Sequence, residues 1–166
     1  MIQDPGRNEH ETNSTGAAPL GARPPWRFPQ LQRPNPRFES HGVLVHLPVG
    51  KPKAPPLLFV HGAYTAAWCW EEHFLPFFAA AGYPAYALSL SGHGASPGRK
   101  HLDSFSIADY VKDVANVVAT LPAPPVLVGH SMGGFVVQKY LEDNLAPGAG
   151  LMCGGPPPSL IWLLYT

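Results

Sequence analysis

The sequence predicts an α/β fold built on a mostly parallel sheet with helices on both faces. Three observations carry that expectation. Short apolar runs bounded by turn residues recur at Leu57–Val60, Tyr83–Leu90 and Val126–Val128, the pattern of strands buried on both sides. Between them, apolar residues fall at three- and four-residue steps, which is one face of a helix. Strand and helix therefore alternate, and alternation selects a parallel sheet joined by right-handed crossovers.

The elements follow in order. Residues 1–40 hold seven prolines and five arginines and almost no apolar periodicity. Pro24-Pro25 and Pro34-Asn35-Pro36 fit neither a helix interior nor a central strand, so this stretch is expected to be a disordered or loosely attached leader. Val43, Leu44, Val45 and Leu47 predict a short strand, and Pro48–Pro56 a turn. Leu57–Val60, between Pro56 and Gly62, predicts a buried strand. Phe74–Ala81 is helix-like; Gly82 stands where a C′ glycine belongs, and Pro76 fits only the first turn. Tyr83–Leu90 predicts the next strand and Ser91–Gly98 a loop. Ile107, Tyr110, Val111, Val114, Val117, Val118 and Leu121 line one helix face, with Ser106 and Asp109 as a capping box and Pro122 as the stop. Val126–Val128 predicts a strand, Gly134–Leu145 a helix and Gly150–Cys153 a last short strand.

Composition narrows the function. The 166 residues are 45% hydrophobic and 13% charged, enough apolar material for a core. Lys+Arg and Asp+Glu are 11 each, so the net charge is zero, and a nucleic-acid partner, which calls for a basic surplus, is excluded. Cys69 and Cys153 make no disulfide framework and no zinc spacing; they are expected to be small apolar fillers, and no metal or other cofactor is expected. No run reaches the ~18 apolar residues of a membrane span. Met1–Glu11 is polar, without the apolar core of a secretory signal, so a cytoplasmic location is expected and the sequon Asn13-Ser14-Thr15 is read as a chance match. Trp68, Trp70, Phe74, Phe77 and Phe78 are expected in the core or a cleft wall. Arg99-Lys100-His101 is expected to be a solvated loop.

Two segments carry chemistry. Gly129-His130-Ser131-Met132-Gly133 matches G-x-S-x-G. It follows a strand and opens a helix, the context in which a serine on a strained turn projects above the carboxyl ends of the strands. Without that context it would be a Gly-rich turn with an N-capping serine. Phe59-Val60-His61-Gly62-Ala63-Tyr64 also ends a strand. Backbone N–H groups of Ala63 and Met132 would together form an oxyanion hole.

With these residues and Gly92-His93-Gly94-Ala95-Ser96, the chain resembles the α/β-hydrolase superfamily over residues 41–158. Trp68-Cys69-Trp70 and Gly82-Tyr83 look like its lysophospholipase- and esterase-like members. The resemblance implies hydrolysis of a small-molecule carboxylic ester, thioester or related acyl bond through an acyl-enzyme on Ser131, without a cofactor. It assigns motif-supporting roles to His61, Gly62, Gly92, His93, Gly94, Gly129, His130 and Gly133, with His61 and His93 shaping loops. One departure is plain. The family's triad runs Ser, acid, His along the chain, yet no histidine follows Ser131, and the later acids are only Glu142 and Asp143. His130 adjoins Ser131, where neighbouring side chains diverge. The expectation is a partial hydrolase fold, lacking the C-terminal strands and cap, with an apolar tail at 159–166 outside the family. The alternative is a catalytically inactive, truncated chain that at most binds an acyl ligand or a protein partner, whose identity the sequence does not disclose.

Overall fold

The structure, a computed structural model, describes residues 37–39 and 42–154. The sequon, most of the 1–40 leader and the 159–166 tail lie outside the described residues. A six-stranded sheet comprises β1 (Arg37–Glu39), β2 (Val43–His46), β3 (Leu57–Val60), β4 (Ala85–Leu88), β5 (Val126–His130) and β6 (Ala149–Met152). The helices are α1 (Phe74–Ala80), α2 (Ile107–Thr120) and α3 (Met132–Asp143). Strand order is β1-β2-β4-β3-β5-β6. β1 and β2 run antiparallel to their neighbours, whereas β4, β3, β5 and β6 are mutually parallel.

Side-chain alternation divides the core in two. Val43, Val45, Leu58, Val60, Tyr86, Leu88 and Leu127 face α2 and α3, where Val114, Val136, Val137 and Tyr140 meet them. Leu44, Phe59, Ala85 and Ala87 face α1, under Leu75 and Trp70. Leu58, Phe59 and Val60 are at most 1% exposed; burying each side chain contributes roughly 1.5–3 kcal/mol. Helices therefore cover both faces, as expected.

Most boundaries agree within two or three residues, and the differences have local causes. β1 falls inside the stretch read as leader; it exists because the edge of β2 offers it a ladder, in register Arg37↔Val45 and Glu39↔Val43. The strand expected over Tyr83–Leu90 shortens to Ala85–Leu88, since Tyr83 N–H bonds back to Phe78 O at 2.9 Å. α2 begins after Ser106 with the full capping box formed. α3 starts at Met132, two residues before the expected Gly134, and ends at Asp143, where Asn144 turns extended and donates its amide to Tyr140 O at 2.9 Å. Two 3₁₀ turns, Ala67–Trp70 and Arg99–Ser104, were not expected; the basic run of the second is exposed but turned.

Candidate active site

The strand order places a switch point between β3 and β5. α1, following β3, covers one face of the sheet, while α3, following β5, covers the other. Loops leaving two adjacent parallel strands in opposite directions open a crevice at their carboxyl ends, where open α/β sheets bind ligands. His61-Gly62-Ala63 leaves β3 there and Ser131-Met132 leaves β5.

Ser131 connects strand to helix in one residue. Its φ of 52° and ψ of −119° lie in a region costing on the order of 1–3 kcal/mol for a residue with a Cβ. The backbone over-determines this turn: Ser131 N–H bonds Met152 O at 2.9 Å and Gly134 N–H bonds Ser131 O at 2.8 Å. Close packing then demands glycine on both sides. A Cβ on Gly133 would lie 2.3 Å from Val60 O, and one on Gly129 would lie 2.5 Å from Gly133 O. α3 thus starts directly over the end of β3.

The loop after β3 leans on this elbow. A Cβ on Gly62 would stand 3.1 Å from Ser131 Cβ and 3.1 Å from His130 Nδ1. Ala63 follows on the same loop and is exposed. Met132 is the first residue of α3, so its N–H is one of the donors an α-helix leaves unpaired at its N-terminus. Met132 and Ala63 thus stand on the two segments that leave β5 and β3 at the switch point.

The histidines have other work. His61 is fully buried; Nε2 accepts from Leu90 N–H at 3.0 Å and Nδ1 lies 2.7 Å from Gly62 O. A nitrogen that accepts from a backbone N–H carries no proton, so Nδ1–H is the donor to Gly62. Burial pushes its pKa down to about 4, the bond to Gly62 opposing and His93 adding a little. His93 is buried, 5.0 Å from the His61 ring between centroids, with Nδ1 3.1 Å from Ser91 O. His130 turns towards the α1 face and meets the edge of Trp70 at 6.3 Å. Among the described residues no hydrogen bond joins Ser131 Oγ to an imidazole. Glu142 pairs with Lys139 on the exposed side of α3.

Gly92 and Gly94 adopt φ of 77° and 52° in the loop after β4, which Phe105 and Ser89 pack against. Asp113, on α2, was not singled out from the sequence; its carboxylate takes Ser91 N–H at 2.7 Å and Ser91 Oγ at 2.9 Å. Its only signal was its place on the polar side of the α2 pattern. Three expectations need correction. Cys153 is exposed rather than a buried filler, because β6 has no neighbour beyond it among the described residues. Trp68 and Phe77 are 60% and 45% exposed, so they are not core. A recess of about 650 Å³ between β2, β4 and α2 is lined by Val43, Tyr86, Ser91, Asp113 and Thr120 among others and touches none of the expected site residues. Among the described residues no three His, Cys, Asp or Glu side chains could hold a metal ion, and no helix is long and apolar enough to cross a membrane.

A mainly parallel sheet with helices on both faces and a positive-φ serine between β5 and α3 defines an α/β protein. The model of the alpha/beta hydrolase family matches residues 57–165, and the chain belongs to that family. The matched residues run into the 159–166 tail, which the sequence reading set outside it. Protein phosphatase methylesterase 1 of Bos taurus is 34% identical over 105 residues, covering 61% of this chain and 27% of that protein. A pyrethroid hydrolase of Sphingobium wenxiniae is 29% identical over 96 residues, covering 58% and 34%. Among solved structures, a thioesterase domain from the curacin biosynthetic pathway superposes with a TM-score of 0.50 at 34% identity, covering 58% of this chain and 33% of that one. An epoxide hydrolase from an endophytic Streptomyces reaches 0.55 at 28% identity, covering 66% and 32%. The chain thus spans about a third of the length of these relatives.

Proposed function

We propose that Ser131 is the nucleophile of an acyl hydrolase acting on a small-molecule carboxylic ester, thioester or related acyl bond. The carrying observation is the strained elbow, with Ser131 at φ 52° between β5 and α3 and the Gly62 loop against its Cβ. Strain of this kind persists where surrounding structure holds it and clusters at functional sites. In the proposed step Oγ attacks the carbonyl carbon and gives its proton to a base. The tetrahedral oxyanion takes hydrogen bonds from the N–H groups of Met132 and Ala63. The alkoxide or thiolate departs with a proton, leaving the acyl group on Oγ, and water then releases the acid. No step needs a cofactor. The esterase, pyrethroid hydrolase and thioesterase among the relatives support the acyl class; the epoxide hydrolase is a reminder that fold alone does not fix the reaction.

Among the described residues no imidazole meets Ser131 Oγ, and His61 is engaged at both nitrogens. A triad serine without its base typically loses about 10⁴- to 10⁶-fold in kcat. That same observation favours a second reading, a non-catalytic chain that holds an acyl ligand or a partner. Added imidazole separates the two. Turnover of p-nitrophenyl butyrate that rises with imidazole and vanishes in Ser131→Ala, after subtraction of free imidazole's own rate, supports the nucleophile. Equal rates in both proteins at every imidazole concentration would overturn it and leave the binding reading. The cytoplasmic location belongs to this proposal, and fractionation tests it.

A further inference from the structure

Ala63 N–H shares a peptide group with Gly62 C=O, and two side chains hold that carbonyl. His61 Nδ1–H donates to it at 2.7 Å and Thr65 Oγ1–H at 3.0 Å. The peptide is trans, and a peptide group is planar, so its C=O and N–H point in opposite directions and turn as one body. Fixing the oxygen therefore fixes the amide proton. A carbonyl that accepts hydrogen bonds is also polarised, which strengthens the N–H at the other end as a donor by roughly 10–30% per bond. The rest of the loop is anchored separately. His61 Nε2 accepts from Leu90 N–H at 3.0 Å, which leaves the ring proton on Nδ1. Downstream, Ala67 N–H donates to Ser89 Oγ at 3.2 Å, and Ala66 and Ala67 are buried. The course of the loop is thus set at both ends without Thr65. Between these anchors Tyr64 stands at φ 62° with its side chain exposed among the described residues. That conformation costs a residue with a Cβ on the order of 1–3 kcal/mol. The turn from Gly62 to Thr65, closed by the Thr65 hydroxyl, holds it.

We propose that Thr65 is a positioning residue for acyl transfer. Its hydroxyl, acting with the His61 imidazole, holds the Gly62–Ala63 peptide at the tilt that presents Ala63 N–H to the oxyanion. With His61 alone the carbonyl has one anchor, and the peptide can rock about it; the second anchor removes that freedom. Small rotations matter here because the group abuts the elbow. A Cβ on Gly62 would stand 3.1 Å from Ser131 Cβ and 3.2 Å from His130 O, and an oxyanion donor is useful only where the charge develops. The inference rests on the reading of Ser131 as nucleophile. It adds a residue that lies outside both the G-x-S-x-G and the His61-Gly62 motifs.

Labelling kinetics with a fluorophosphonate test it, because phosphonylation of Ser131 builds charge on the phosphoryl oxygen that the oxyanion donors would receive. The parent, Thr65→Val and Thr65→Ser are compared on the full chain at one fixed imidazole concentration. Thr65→Val keeps the shape and loses the hydroxyl, whereas Thr65→Ser keeps the hydroxyl. Thr65→Val is expected to lower the maximal inactivation rate about 10-fold, a fraction of the ~10²- to 10³-fold lost with an oxyanion donor outright. Its half-saturating reagent concentration should stay within about twofold of the parent's, the pattern of an interaction made only in the transition state. Thr65→Ser should recover most of the parent rate. Equal maximal rates in the parent and Thr65→Val, a change confined to the half-saturating concentration, or a loss that Thr65→Ser shares in full would overturn the proposal and leave Ser131 as nucleophile. A parent that forms no Ser131 adduct overturns the nucleophile reading, and the proposal with it. Should Thr65→Val fail to fold, Thr65→Ala takes its place with the same expectations.

Discussion

Gly133→Ala and Gly134→Ala form a matched pair on one helix turn. Both replace a helical glycine by the best helix former, a gain of about 1 kcal/mol each in propensity. Their surroundings differ. A Cβ at 133 would meet Val60 O at 2.3 Å and His61 O at 2.5 Å. These are backbone atoms of a central strand and its loop, so relief requires lifting α3 off β3 by most of an ångström. Overpacking typically costs about 1–3 kcal/mol, and two backbone oxygens at these distances place it near the upper end. After the propensity gain, Gly133→Ala is expected to lose about 2 kcal/mol or more. At 134 the nearest atom is Gly154 Cα at 3.3 Å, on the segment following an edge strand, and the variant should stay within about 1 kcal/mol of the parent. Urea denaturation of both variants measures the difference, and at roughly 2–4 °C per kcal/mol the thermal midpoints should part by several degrees. Equal stabilities, or a more stable Gly133→Ala, would refute the claim that G-x-S-x-G is dictated by backbone approach.

Two further predictions follow. Ser106→Ala removes the hydroxyl that accepts Asp109 N–H and that donates to the Asp109 carboxylate at 2.7 Å; α2 should lose about 1 kcal/mol, and the Asp109 carboxyl, held down to about 2 chiefly by that hydroxyl and next by Ser106 N–H, should titrate higher by NMR. Burial depresses the pKa of both His61, to about 4, and His46, whose ring nitrogens are buried without a partner among the described residues. The unfolded chain, with histidines near their ordinary value of 6.5, then binds more protons than the folded one as pH falls below that value. Stability is present in full above pH ~6.5 and is lost on acidification towards pH ~4, by about 3 kcal/mol for His61 at 1.36 kcal/mol per unit. Denaturation midpoints at pH 7.5 and 4.5 measure the fall. His46→Leu should reduce it, and a pH-independent midpoint would contradict the assignment.

Much of this architecture was legible because buried parallel strands leave a local mark. Leu57–Val60 and Val126–Val128 are apolar runs between turn residues, and α2 declares its start through Ser106 and Asp109. The elbow was legible because strand, glycine, serine and helix are contiguous. What escaped depends on distant partners. Nothing in Arg37-Phe38-Glu39 marks a strand until β2 stands beside it. The early start of α3 follows from hydrogen bonds to Met152 and Gly134, and the clamp between Asp113 and Ser91 joins elements 22 positions apart. Exposure of Cys153, Trp68 and Phe77 depends on what covers the outer strand and helix, which their own residue types do not encode.

Covalent capture at Ser131 tests the central claim most directly. The chain is incubated with a fluorophosphonate, with and without imidazole, and mapped by peptide mass spectrometry. The account predicts a single adduct on the peptide bearing Ser131, formed faster as imidazole supplies a base and absent from Ser131→Ala. A folded chain that shows no Ser131 adduct at any imidazole concentration, or that labels equally in Ser131→Ala, would contradict it.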